Sequence, residues 1–126
     1  MVGFVVVSHS CKLAEGVVDL TKMMAPDVPI VAAGGMEDGN YGTSFEKIYS
    51  AVEEVYSEEG VIILVDMGSA VMTAEMVIEA MDGMKVQIAD CPVAEGAVAA
   101  TVSSRIGMTM EEILRDLEEI GTQKKL

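Results

Sequence analysis

The sequence predicts an α/β fold: a doubly wound, mainly parallel, four-stranded sheet in the order 2-1-3-4, with helices on both faces. Three observations predict it. Four short apolar runs, most of them rich in β-branched residues, lack the polar alternation of half-exposed strands, so they belong to a sheet covered on both sides. Each run leads into a stretch with apolar residues at helical spacing, and such alternation implies parallel pairing through crossovers. The chain of 126 residues, 51% of them hydrophobic, suffices for one core and is short for two, so residues 1–126 are expected to form a single domain. Right-handed crossovers put the first strand at the centre.

Val2 to Val7 opens the chain as the first strand, apolar and β-branched. Leu13, Val17, Leu20 and Met24 then fall at helical spacing, and Pro26 and Pro29 end that helix. Val28 to Ala33 is the second strand, closed by Gly34-Gly35, and a loop of glycines and acids runs on to Gly42. Thr43 and Glu46 have the spacing of a capping box, which predicts Thr43 as the cap of the next helix. Phe45, Ile48, Val52, Val55 and Tyr56 form its apolar stripe. Gly60 precedes the third strand, Val61 to Val65, and Asp66 to Ser69 turns the chain into a helix carrying Val71, Ala74, Val77, Ile78 and Met81. Val86 to Ala89 is a short fourth strand, and an extra or antiparallel edge strand could be concealed around Asp90 to Val93. A small-residue helix runs from about Ala94 to Ile106 and stops at Gly107. Thr109 and Glu112 make a second capping box, ahead of a helix with Met110, Ile113, Leu114, Leu117 and Ile120 on one face.

Charge excludes several functions. Lysine and arginine number 8 against 21 acids, a net charge of −13. Nucleic-acid binding and attraction to an anionic membrane both draw on basic residues, so neither partner is expected. A basic-faced protein partner suits such a surface. No apolar run reaches the roughly 20 residues of a membrane helix, and the N-terminus has no basic n-region of a signal peptide. The two cysteines, Cys11 and Cys91, make no disulfide framework, so reduced thiols in a cytoplasm are expected. No Walker or dinucleotide fingerprint occurs, so no nucleotide cofactor is expected. The one conceivable metal set, His9, Cys11, Asp66 and Cys91, has no tight ligand spacing, and no metal is expected.

Open α/β sheets bind ligands outside the carboxyl ends of their strands, where the strand order reverses. In the order 2-1-3-4 that point lies between strands one and three. The first ends at Ser8-His9-Ser10 and the third at Asp66-Met67-Gly68-Ser69, so the only histidine and a carboxylate fall on neighbouring strand ends. A carboxylate that accepts a bond from one ring nitrogen orients the ring and leaves the other nitrogen as nucleophile or base. Gly68, Ser69 and Ala70 open a helix, whose first N–H groups make an anion cradle. Imidazole, carboxylate and cradle together suit a phosphohistidine. The blander readings are a structural His9, an Asp66 that serves the turn, and a Ser69 that is only an N-cap.

The motifs Val5-Val6-Val7-Ser8-His9-Ser10, Leu13-Ala14-Glu15-Gly16-Val17, Ala32-Ala33-Gly34-Gly35, Gly42-Thr43-Ser44, Asp66-Met67-Gly68-Ser69-Ala70 and Pro92-Val93-Ala94-Glu95-Gly96-Ala97 occur in order. Across nearly the whole chain they resemble the mannose-type IIA family of the phosphotransferase system, in its dihydroxyacetone-kinase branch. The resemblance implies that His9 is transiently phosphorylated, at Nε2, and that Asp66 orients it. It also implies a phosphoryl site lined by Ser10, Gly68, Ser69 and Ala70, with Thr43 and Ser44 nearby. The branch usually has leucine where this chain has Met67, and the mannose branch has a longer tryptophan-containing turn that is missing here. The implied partners are the histidine phosphocarrier protein as a separate donor, the nucleotide-binding subunit of dihydroxyacetone kinase as acceptor, and a second copy in a homodimer. The rivals are a sugar-transport IIA domain that donates to a IIB component, a regulatory module with a structural His9, and a thiol enzyme using Cys11.

Overall fold

In a computed structural model, which describes residues 1–126, the sheet order is β2-β1-β3-β4 and every pairing is parallel. The elements follow as β1 (Gly3–Ser8), α1 (Cys11–Thr21), β2 (Ile30–Gly34), α2 (Phe45–Val55), β3 (Val61–Val65), a 3-10 turn (Gly68–Ala70), α3 (Val71–Ala80), β4 (Val86–Ala89), α4 (Val93–Arg105) and α5 (Met110–Ile120). The predicted class and strand order are those observed.

Every residue of β1 is buried, as a central strand with both faces covered must be. Its side chains alternate between two cores. Phe4 and Val6 join Ile62 and Leu64 of β3 under α1, α4 and α5. Val5 and Val7 join Ile63 under α2 and α3. Each fully buried aliphatic side chain contributes about 2 kcal/mol of transfer free energy, so the two layers fix the register of the central strands.

The structure departs from the sequence reading in three places. No edge strand forms at 90–93: β4 ends at Ala89 and α4 begins at Val93. The cap of α2 is Ser44, whose hydroxyl accepts the Lys47 N–H (3.2 Å), and the Thr43 hydroxyl instead meets that of Thr73 on α3 (2.9 Å). Adjacent hydroxyls compete for one cap, and tertiary contact with α3 decides. The Thr109–Glu112 capping box forms as expected. On α1 the buried stripe is Ala14, Val17 and Thr21, whereas Leu13, Leu20 and Met24 are exposed. Leu20, Met23 and Met24 line an apolar groove against Ala94, Val98, Ala99 and Val102 of α4.

Candidate functional site

The register that pairs Val7 with Val65 puts the next residues of β1 and β3 side by side. The Asp66 N–H donates to Val7 O (3.1 Å), extending the ladder by one residue and holding Asp66 in line with β1. His9 follows one residue after β1, and Ser10 then caps α1, its hydroxyl accepting the Leu13 N–H (3.2 Å).

Four donors converge on the Asp66 carboxylate. Oδ2 accepts from the Ser8 hydroxyl (3.0 Å) and the His9 backbone N–H (3.1 Å). Oδ1 accepts from the Met67 N–H (2.8 Å) and lies 3.1 Å from His9 Nδ1. The Asp66 side chain is only 8% exposed and that of His9 25%. Burial pushes the Asp66 pKa up, but the bonds from the His9 N–H and the Ser8 hydroxyl, with the ring behind them, outweigh it and hold the carboxyl below its ordinary value.

This arrangement fixes the tautomer of the neutral ring. An ionised carboxylate only accepts, so the proton shared with it sits on Nδ1. Nε2 then carries the lone pair, and it accepts from the Ser69 hydroxyl at 3.0 Å. Gly68 and Ser69 open the 3-10 turn, where N–H groups have no partner inside the helix. An oriented nucleophilic nitrogen therefore lies beside a hydroxyl and a helix start, a set suited to an incoming anionic group.

Two glycines close the other side. A Cβ on Gly34 would lie 2.5 Å from Ser10 O and 2.7 Å from Ala14 Cβ, so only glycine lets β2 end against the first turn of α1. Gly35 takes a left-handed φ of +70° and donates its N–H to Ser8 O (3.0 Å). The Gly42 N–H donates to His9 O (2.9 Å), tying the β2–α2 loop to the site.

Not every residue expected at the site faces it. His9, Asp66 and Ser69 come together, and Gly68 opens the turn beside them. Ala70 is buried and its N–H is already bonded to Met67 O (3.0 Å), so it has no free donor for an anion. The Ser10 hydroxyl is engaged in its cap. Ser44 caps α2 and donates to Glu37, and Thr43 pairs with Thr73; neither bonds to His9 or Asp66. Ser69 caps no helix through its side chain, so the capping alternative falls away. Cys11 makes no bond to the ring, and Cys91 packs against Gly96, its thiol pushed up to about 11 mainly by burial and then by Asp90. No group of three His, Cys, Asp or Glu side chains could hold a metal ion. The residue that sequence reasoning missed is Ser8. Its signal was a hydroxyl ending a strand that is otherwise wholly apolar.

Comparison with known proteins agrees with the fold and the motifs. The family model EIIA-man, described as PTS system fructose IIA component, matches residues 3–114. The chain is 35% identical over 122 residues to the "PTS-dependent dihydroxyacetone kinase, phosphotransferase subunit DhaM" of Lactococcus lactis, covering 97% of this chain and 98% of that one. It is 36% identical to the "PEP-dependent dihydroxyacetone kinase, phosphoryl donor subunit DhaM" of Escherichia coli, covering 92% of this chain and 26% of that longer protein. Among solved structures, "unknown function protein EF1359" superposes with a TM-score of 0.83 at 24% identity, covering 97% of this chain and 96% of that one.

Proposed function

Because this chain belongs to the EIIA-man family of phosphotransferase-system IIA components, and is related along its length to DhaM phosphoryl donor subunits, we propose that His9 carries a phosphoryl group in transit between two proteins. The observation that carries this reading is the bond between Asp66 and Nδ1, which leaves the lone pair of Nε2 exposed beside Ser69.

The proposed donor is the histidine phosphocarrier protein. The Nε2 lone pair attacks phosphorus, an N–P bond forms, and the donor's own N–P bond breaks with its electron pair returning to the donor ring. The Nδ1 proton stays in its bond to Asp66, whose negative charge stabilises the cationic phosphoimidazole. The Ser69 hydroxyl, released from Nε2, donates to a phosphoryl oxygen together with the N–H groups of Gly68 and Ser69. Transfer onward is the reverse: a terminal oxygen of ADP, held by the nucleotide-binding subunit of dihydroxyacetone kinase, attacks phosphorus and the electrons of the N–P bond return to Nε2. Residues 1–126 act as one phosphocarrier domain of the cytoplasm. The same reading includes a homodimer, for which we propose the small-residue helix α4 as the contact face.

The test is transfer itself. Protein phosphorylated with phosphoenolpyruvate and the general phosphotransferase components should yield ATP when mixed with the ADP-loaded kinase subunit. Phosphate that passes only to a IIB component would select the sugar-transport reading instead. No phosphate uptake at all would leave His9 a structural residue.

A further inference from the structure

We propose that Ser8 is a positioning residue of this site: its buried hydroxyl locks the Asp66 carboxylate against His9 and so sets which ring nitrogen is free to react. The inference rests on the phosphocarrier reading for its consequence, but its geometry stands without it.

Ser8 is the last residue of β1 and is fully buried. A buried hydroxyl needs partners, and this one has two. It lies 3.0 Å from Asp66 Oδ2 and 3.0 Å from the Ser10 backbone nitrogen. The direction of both bonds follows from the inventory of donors and acceptors. The Ser10 N–H can only donate, so the hydroxyl oxygen accepts it. The ionised carboxylate can only accept, so the hydroxyl proton points to Oδ2. A directed chain results: Ser10 N–H to Ser8 hydroxyl, Ser8 hydroxyl to Asp66, His9 Nδ1–H to Asp66, and Ser69 hydroxyl to His9 Nε2.

Each link constrains the next. Three of the four bonds into Asp66 come from Ser8, His9 N–H and Met67 N–H, all on the two strand ends, so the carboxylate cannot swing away from the ring. Ser8 is the one side-chain donor among those three, and hence the one that a substitution can delete while the backbone stays. Its anchor is the N–H of Ser10, the residue that caps the first turn of α1. Removing the hydroxyl leaves Oδ2 with one donor fewer and the Ser10 N–H without its acceptor. The carboxylate then holds its charge less dispersed and gains freedom to rotate. Asp66 is the only charged side chain bonded to the ring, so His9 reports on that change directly.

The test uses the single histidine. Imidazole nitrogen NMR of the full chain reads His9 alone, since no other histidine contributes. In the unmodified protein the neutral ring should be protonated at Nδ1 and bare at Nε2. Ser8→Ala should mix the second tautomer into the neutral ring and slow phosphate uptake about ten-fold. Ser8→Thr, which keeps the hydroxyl, should retain the tautomer and the rate of the unmodified protein. In an Asp66→Asn background, Ser8→Ala should shift neither any further, because its effect passes through Asp66. An unchanged tautomer and rate in Ser8→Ala overturns the proposal, as do additive effects in the double variant or a Ser8→Thr that behaves like Ser8→Ala. Should the unmodified protein take up no phosphate while the NMR shifts appear as stated, the carrier reading fails and the Ser8 linkage stands.

Discussion

Strands β3 and β4 each run out into an aspartate at the same end of the sheet, and the two aspartates meet different fates. Asp66 receives four donors, is 8% exposed and grips the ring of His9. Asp90 is exposed, and the neighbour that its charge perturbs is Cys91. Along the chain they look alike, an acid after a short apolar run. Strand order separates them: β3 lies beside β1, whose end carries the histidine, and β4 lies at the far edge. The chemistry of a carboxylate here is a consequence of which strand is its neighbour.

Asp66→Asn breaks the comparison hardest. An amide cannot stabilise the phosphoimidazole cation, and it favours the wrong tautomer, so the rate of phosphate uptake should fall by about 10²- to 10⁴-fold, read with labelled phosphoenolpyruvate. Asp90→Asn should leave that rate within about two-fold. If both variants lose activity equally, position beside β1 is not what distinguishes them.

A second contrast lies in reactivity. With its thiol pushed up to about 11, Cys91 should alkylate roughly 10²-fold more slowly than a free thiol near neutral pH. Burial is the larger cause, so Asp90→Asn should speed the reaction only about two-fold, measured by mass spectrometry over a time course. A Cys91 as fast as a free thiol would contradict its packing against Gly96.

A third prediction concerns acid. Folding favours ionised Asp66, whose carboxyl is held below its ordinary value of 3.8. That stabilisation is complete above the ordinary value and is lost as pH falls through it towards the folded value. Between about pH 5 and about pH 3 the unmodified protein should therefore lose more stability in urea titrations than Asp66→Asn does. Asp90→Asn should keep the full acid loss.

The smallest effects distinguish the two hydroxyls at the start of α2. Ser44→Ala should cost about 1 kcal/mol, the usual worth of an N-cap, and Thr43→Ala about 0.5 kcal/mol for its part-buried bond to Thr73. Thermal unfolding of the two variants gives the order.

Much of this was legible in the residues. Apolar runs, most of them rich in β-branched residues, predict strands covered on both faces, and their order puts His9 beside Asp66. What stayed hidden was settled by contacts between distant segments. Thr43 and Ser44 are equally good caps locally, and only Thr73, thirty residues on, takes one of them away. The apolar spacing Leu13, Val17, Leu20 and Met24 fits a helix, yet α1 is rotated so that Ala14 and Thr21 meet the core beside Val17. Gly34 permits the close approach of β2 to α1 that goes with this rotation. Ser8 looked like the end of a strand because its two partners, Asp66 and the Ser10 N–H, are joined to it only in the fold.

The most direct test of the account is the position of the phosphoryl group on the ring. Phosphorylated protein examined by nitrogen and phosphorus NMR should carry one phosphate, bonded to Nε2 of His9, with the proton still on Nδ1 and the signal absent in His9→Ala. Phosphate on Nδ1, or phosphate that persists in His9→Ala, would contradict an Asp66 that holds one nitrogen and so frees the other.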